Sequence, residues 1–111
     1  MQEGDVVIVA LPQANGMMKD RPAIVLREMP PFRDVLVCGV STQLRHAVKD
    51  FDEVISPADS DFVKSALNAE SLIRLGFLIV IPRQSIVGSI GSISSERHKR
   101  LLQRLSDYLI Q

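Results

Sequence analysis

Tryptophan is absent from this sequence of 111 residues, and aromatic residues are few, with one tyrosine and four phenylalanines. Because 46% of the residues are hydrophobic, we expect a core built from aliphatic side chains. Net charge is also absent, since 13 basic residues balance 13 acidic ones. This argues against a protein that coats nucleic acid without specificity, because such proteins carry a broad positive field. Binding of RNA in a local groove stays open.

Long apolar runs and targeting signals are missing too. No stretch approaches the roughly 18 apolar residues of a membrane-spanning helix. The start of the chain lacks the basic and apolar regions of a secretion signal, so we expect a cytoplasmic protein with no membrane partner. The longest apolar stretch, residues 75–81, instead predicts a buried strand.

Motifs for metals, cofactors and several common active sites are missing as well. His46 and His98 lie far apart and the single cysteine adds no zinc spacing, so we expect no metal and no cofactor. No glycine-rich phosphate loop or G-x-S-x-G elbow is present. Cys38 follows the apolar residues 35–37, which predicts a buried, inert thiol rather than a nucleophile.

Short strand-like segments fill most of the chain. β-branched and apolar runs bounded by Gly, Pro, Asn and Asp predict strands at 5–11, 21–27, 34–42, 52–56, 71–75, 78–82 and 84–90. Residues 12–20 form a connection that looks too long for a tight hairpin. Residues 62–67 are expected to form either a short helical turn or an extended arm.

The last residues change to a helical period. Leu101, Leu102, Leu105 and Leu109 recur at helical spacing after a possible N-cap at Ser94 or Ser95, which predicts a helix over residues 95–110. We expect its basic residues to form a solvated face, namely Arg97, Lys99, Arg100 and Arg104. Together the elements predict a single mainly β domain over residues 1–111. It comprises a partly closed β-barrel over about 4–92 and a C-terminal helix over about 94–110.

Two polar clusters interrupt the strand pattern in the first third of the chain. Arg21 opens the run Arg21-Pro22-Ala23-Ile24-Val25-Leu26, and Ser41-Thr42-Gln43 closes the third predicted strand. A guanidinium with nearby hydroxyl and amide donors suits a phosphate that gains charge during a reaction. The alternatives are an arginine in a surface ion pair and a hydroxyl pair that caps a turn.

Four segments, in this order, resemble the MazF/PemK family of toxin endoribonucleases from toxin–antitoxin pairs. They are Gly4-Asp5-Val6-Val7, Arg21-Pro22-Ala23-Ile24-Val25-Leu26, Val40-Ser41-Thr42-Gln43 and Ser71-Leu72-Ile73-Arg74. The resemblance implies an SH3-like barrel that dimerises. It also implies metal-independent, sequence-specific cleavage of single-stranded RNA by the RNA's own 2′-hydroxyl, leaving a 2′,3′-cyclic phosphate and a 5′-hydroxyl. The expected partner is an antitoxin with a disordered, acidic segment.

The resemblance also assigns roles to residues. Arg21 matches the catalytic arginine, and Ser41, with Thr42 beside it, matches the catalytic hydroxyl. Gln43 could read a base edge, Arg45 could hold a flanking phosphate, and His46 could act as a general base. The expected substrate-binding residues are Asn15, Lys19, Asp20, Gln43, Arg45 and His46.

One departure from the family affects the general base. Several members carry an acidic residue five positions before the arginine, where this chain has Gly16. The base is therefore unassigned, with Asp20 and Asp50 as further candidates. This departure keeps two alternatives open: a noncatalytic barrel that binds a protein partner, as the related DNA-gyrase inhibitors do, and a small structural barrel with no toxic role.

Overall fold

The computed structural model describes residues 1–111 and consists of one curled antiparallel sheet with a helix packed across it. The strands are β1 (Asp5–Pro12), β2 (Met18–Met29), β3 (Asp34–Ser41), β4 (Glu53–Ile55), β5 (Ser71–Ile81) and β6 (Ile86–Ser92). The helices are α1 (Phe62–Ser65) and α2 (Ser95–Leu109), with short 3₁₀ turns at Leu44–His46 and Arg83–Ser85. The strand order is β4-β5-β3-β2-β1-β6. The prediction of a mainly β, partly closed barrel with a C-terminal helix is confirmed.

Both faces of the sheet are apolar, because side chains alternate along each strand and the sheet curls. The first core lies between the sheet and α2 and contains Val6, Ile24, Leu26, Cys38, Ile55, Ile73, Leu75, Ile93, Leu101 and Leu105. The second core lies on the opposite face and contains Val7, Val9, Leu11, Ala23, Val25, Val35, Val37 and Ile81. Both cores are aliphatic, as the scarcity of aromatic residues predicts. Neither helix has the length and apolar character needed to cross a membrane.

The α2 helix is close to its predicted extent. Ser94 is the N-cap, and its hydroxyl accepts a hydrogen bond from the Arg97 amide at 3.1 Å. The prediction of a solvated basic face is wrong for Arg97, whose guanidinium is buried and contacts Asp61 and Glu53. The helical period shows that Arg97 lies near the leucine stripe, but the carboxylates opposite it come from distant segments.

The hairpin between β1 and β2 is tighter than predicted. The two strands pair as far as Pro12 and Met18, so the loop comprises only residues 13–17. Within it, the Asn15 side chain accepts a hydrogen bond from the Met17 amide at 2.9 Å, and Gly16 adopts a φ of +82°. Lys19 and Asp20, expected in a long loop, therefore belong to β2. The side-chain pattern of residues 18–20 does not predict this extension of β2, because backbone hydrogen bonds to β1, and not apolar side chains, hold these residues in the strand.

The predicted strands 71–75 and 78–82 are one continuous strand, β5, with a bulge. Cys38 pairs with Leu78 and the next residue, Gly39, pairs with Arg74, so residues 75–77 have no partner on β3. The expectation that residues 75–81 are buried is wrong in part. Leu78 and Val80 are exposed, because alternate side chains of this segment face solvent.

Candidate active-site groove

The side chain of Arg21 lies on the face of the sheet that carries the second core. Arg21 on β2 pairs with Val9 on β1, and Val9 is a member of that core. Directly paired residues of antiparallel strands place their side chains on the same face. Arg21 therefore continues the apolar face of β2 at the point where the core reaches solvent, and its side chain is exposed.

Ser41 and Arg74 reach the same face from two other strands. On β3, Gly39 pairs with Ala23 of the second core, and Ser41 follows two residues later, so both share that face. On β5, Arg74 pairs with Gly39. Three strands thus bring two guanidinium groups and a hydroxyl to one end of the second core.

These side chains line a groove of about 410 Å³. Its lining comprises Leu11, Pro12, Gln13, Ala14, Arg21, Gly39, Val40, Ser41, Thr42, Gln43, His46, Arg74 and Phe77. A second cavity of about 260 Å³ shares Arg21, Val40, Ser41 and Thr42 with it, so these residues lie between the two cavities. No Asp or Glu lines either one. The groove is therefore positively charged at its centre.

Arg21 is held by an amide and not by a carboxylate. Its Nη2 donates to Oε1 of Gln13 at 3.2 Å, and Nε2 of Gln13 donates to the carbonyl oxygen of Leu11 at 3.1 Å. The surface ion pair considered as an alternative for Arg21 is absent from the structure. Its positive charge is consequently available to an anionic ligand, while Gln13 restricts the side chain.

The hydroxyl of Ser41 is held at the end of β3 with its proton free. Its Oγ accepts a hydrogen bond from the Gln43 amide at 3.0 Å, which caps the turn after the strand. Because a hydroxyl accepts and donates through different positions, this bond leaves the Ser41 proton available to a ligand. The Ser41 hydroxyl can thus cap the turn and donate to a ligand at the same time. Thr42, next to it, is exposed and lines both cavities.

The other predicted site residues divide into two groups. Gln43 and His46 line the groove. Arg45, Asn15, Lys19 and Asp20 line neither cavity. Arg45 donates from Nη1 to Oε1 of Gln43 at 2.6 Å, so it touches a groove residue without entering the groove. The groove thus contains five of the nine predicted site residues, namely Arg21, Ser41, Thr42, Gln43 and His46, and its lining includes neither Asp20 nor Asp50.

Alternation along β2 explains why Asp20 is not in the groove. It precedes Arg21 in the strand and pairs with Ala10, so its side chain lies on the opposite face of the sheet. Nearness in sequence made Asp20 look like a partner of the arginine. The strand geometry separates them.

Sequence reasoning missed Gln13, Arg74 and Phe77 as groove residues. Arg74 gave a usable signal, because a cation inside the apolar strand segment 71–75 requires a polar environment. Its guanidinium carbon lies 5.9 Å from the centre of the Phe77 ring. Phe77 gave no such signal, since only the bulge in β5 brings its ring to the groove.

A buried ion-pair cluster ties α2 to the segment 53–61, away from the groove. Arg97 donates from Nε to Asp61 at 2.8 Å and from Nη1 to Glu53 at 2.7 Å. Burial raises the pKa of the Asp61 carboxyl, but hydrogen bonds from Arg97 and from the Ser94 amide outweigh burial and lower that pKa to about 2. No three or more His, Cys, Asp or Glu side chains are grouped as a metal site would require.

Cys38 is fully buried in the first core, as predicted. Burial raises the pKa of its thiol to about 12. A thiolate is therefore disfavoured, and Cys38 acts as a small apolar side chain.

Comparisons with known proteins agree with the fold and the resemblance. Residues 2–109 match the family model described as PemK-like, MazF-like toxin of type II toxin-antitoxin system. The solved structure of the Mycobacterium tuberculosis toxin MazF-mt6 is similar, with a TM-score of 0.69, 19% sequence identity and 96% of each chain covered. At this identity the likeness shows the fold. A comparison with curated proteins finds no match. Because the family model spans nearly the whole sequence, the chain belongs to the PemK-like, MazF-like toxins of type II toxin–antitoxin systems, which are generally endoribonucleases and are paired with an antitoxin.

Proposed function

We propose that this protein is a metal-independent, sequence-specific endoribonuclease that cleaves single-stranded RNA and acts as the toxin of its pair. The observation that carries the proposal is the groove in which Arg21, free of any carboxylate, lies beside the hydroxyls of Ser41 and Thr42. Family membership supports an RNA substrate. The groove supports a phosphate at its centre.

Arg21 would stabilise the pentavalent phosphorane. A guanidinium keeps its charge and can bridge two phosphate oxygens, and the charge on those oxygens grows as the new P–O bond forms. The Ser41 hydroxyl, or that of Thr42, would donate to the same phosphate. Donors aimed at developing charge in an enclosed site each contribute about 100- to 1,000-fold in rate.

Proton transfer is assigned to His46. It is the one lining residue of the groove whose side chain readily accepts and returns a proton, since no carboxylate lines either cavity. The 2′-hydroxyl would lose its proton to the imidazole, and the 2′-oxygen would attack phosphorus. As the bond from phosphorus to the 5′-oxygen breaks, that oxygen would take a proton from water, and the imidazolium of His46 would return its proton to the resulting hydroxide, which restores the neutral imidazole and the water. The products are a 2′,3′-cyclic phosphate and a 5′-hydroxyl.

Two partners complete the proposal. A second copy of the chain would form a homodimer, as the family resemblance implies. The antitoxin would fill the groove with a disordered acidic segment, whose carboxylates complement the unpaired guanidinium groups of Arg21 and Arg74. Binding at this groove would block access of the RNA phosphate.

Cleavage of a long unstructured RNA in excess EDTA tests the proposal. The wild type should cut at one recurring short motif, and mapping of the fragment ends should find cyclic phosphates. Arg21→Ala should lower the rate by about 100-fold or more, and His46→Gln should also slow cleavage. Arg27→Ala is the matched control, because Arg27 lies on the same strand, pairs with Glu3 and is outside the groove. Full activity of Arg21→Ala would overturn the assignment.

A noncatalytic protein-binding role remains the second candidate on one observation. Tyr108, Leu109 and Ile110 form an exposed apolar patch at the C-terminal end of α2, in which only the Tyr108 ring has an aromatic partner, Phe51. Growth arrest without RNA cleavage, relieved by removal of these three residues but not by Arg21→Ala, would favour this role over the endoribonuclease.

A further inference from the structure

We propose that Phe77 is a stacking subsite for the nucleobase next to the cleaved phosphate. This inference rests on the proposed function, because it concerns the same groove and the same RNA. Its observations are the bulge in β5, the glycine opposite it, and the arginine beside the ring.

The β5 bulge places an aromatic ring in the groove. Gly39 pairs with Arg74, and residues 75–77 lie outside the ladder with β3, which frees Phe77 from regular pairing. A Cβ at Gly39 would lie 3.4 Å from two atoms of the Phe77 ring. The Phe77 ring therefore lies directly against Gly39 on β3, within van der Waals reach of the position that a Cβ would occupy.

Phe77 is the one phenylalanine or tyrosine that lines either cavity. Phe51 packs against Tyr108 with ring centres 4.9 Å apart, and Phe32 is exposed elsewhere on the surface. Phe77 also touches the second core and is half-buried, so its ring is anchored on one side and accessible from the groove. An anchored ring loses little conformational freedom when a base stacks on it.

Arg74 connects this ring to the phosphate site. Its guanidinium carbon is 5.9 Å from the ring centre, within the range of a cation–π contact, and no carboxylate pairs with it. A base stacked beside Arg74 would lie in the same groove as a phosphate bound to Arg21. Single-stranded RNA is typically held in this way, with splayed bases on aromatic rings or guanidinium planes and phosphates on cations.

Binding of an RNA that cannot be cleaved tests the inference separately from catalysis. The probe is a fluorescein-labelled, random-sequence single-stranded RNA with 2′-O-methyl groups throughout, which removes the attacking hydroxyl. Phe77→Leu should weaken the affinity for this RNA by about 5- to 150-fold, which is the fold-change expected for loss of one base–aromatic stack. Phe77→Tyr should retain affinity because the ring remains. Phe32→Leu, the matched control outside the groove, should leave affinity unchanged.

A second readout separates stacking from a structural role of the ring. In the same RNA with 2-aminopurine in place of adenine, stacking should quench fluorescence on binding to the wild type and to Phe77→Tyr. Phe77→Leu should reduce that quenching. Phe77→Met serves if the leucine variant does not fold, since it supplies an unbranched apolar side chain without a ring, and a thermal melt of each variant establishes folding.

The outcomes distinguish this inference from the proposed function. If wild type cleaves RNA but folded Phe77→Leu binds with unchanged affinity and unchanged quenching, the subsite is overturned and the endoribonuclease stands. If wild type does not cleave but binds the methylated RNA in a Phe77-dependent way, the subsite stands and catalysis fails. If the wild type cleaves RNA but does not bind the methylated RNA, the subsite alone is overturned. If the wild type neither cleaves RNA nor binds the methylated RNA, both are overturned.

Discussion

Replacement of Arg97 by methionine should destabilise the protein more than loss of any exposed ion pair. Only 6% of Arg97 is accessible, and its guanidinium contacts Asp61, Glu53 and Asp59. Methionine keeps the apolar stem but leaves the Asp61 carboxylate buried without a cation. Breaking a buried pair on one side costs about 3–5 kcal/mol, a large part of the 5–15 kcal/mol that typically stabilises a domain.

Arg100→Met is the matched control on the same helix. Arg100 contacts the same Glu53 at 3.0 Å, but 51% of its side chain is exposed. Its loss should cost about 0–1 kcal/mol, because water screens the half-exposed Arg100 and because Glu53 keeps its contacts with Arg97 and Arg104. Urea unfolding followed by circular dichroism measures both free energies, since the chain has no tryptophan. Equal losses in the two variants would refute the reasoning.

Acid should reduce the difference in the free energy of unfolding between wild type and Arg97→Met. In the wild type, the Asp61 pKa falls from its ordinary value of 3.8 to about 2, because hydrogen bonds from Arg97 and Ser94 outweigh the raising effect of burial. A lowered folded pKa gives stability that is present above pH 4 and is lost as pH falls through about 2, a change of about 2 kcal/mol. Without Arg97, burial raises the Asp61 pKa. Acid therefore protonates the buried carboxylate in the variant and removes the destabilising unpaired charge. A gap that stays constant between pH 7 and pH 2 would contradict this account.

Two further predictions concern the first core and the contact between β6 and α1. Cys38, whose thiol pKa burial raises to about 12, should not react with iodoacetamide at pH 8 until the protein unfolds, as mass spectrometry would show; rapid labelling of the native protein would contradict its burial. Gly91→Ala should destabilise the protein by about 1–3 kcal/mol, because the new Cβ would lie 2.3 Å from the Lys64 carbonyl oxygen. Gly88→Ala is the control on the same strand, because its new Cβ would meet nothing within 4 Å, and it should change stability by roughly 0.5 kcal/mol or less. Thermal melts compare the two variants. Equal melting temperatures would contradict the prediction and show that α1 shifts to accommodate the new Cβ at residue 91.

Local patterns predicted the elements well where one face of an element is uniformly buried. The leucine spacing and the Ser94 cap located α2 within one residue of each end, because helical period and capping are properties of neighbouring residues. The β1–β2 hairpin was predicted less well. Met18, Lys19 and Asp20 carry exposed side chains, and only their backbone pairing with β1 makes them part of a strand.

The candidate site was predicted in part for the same reason. Arg21 and Ser41 stood out because polar residues ended apolar strands, and the structure brings them to one groove. Arg74 and Phe77 did not stand out as a pair. Their juxtaposition depends on which residues of β3 oppose them, and a bulge of three residues decides that register.

The sequence alone determined α2, the apolar centres of the strands, the aliphatic character of the cores and the two polar strand ends, because each depends on composition or on residues within a few positions of one another. Tertiary structure decided which side chains share a face and which charges meet. Strand register placed Arg21, Ser41 and Arg74 together and turned Asp20 away, while the packing of α2 buried Arg97 against Asp61 and Glu53. These contacts join residues distant in the chain, and their energies depend on burial and pairing, which no local pattern contains.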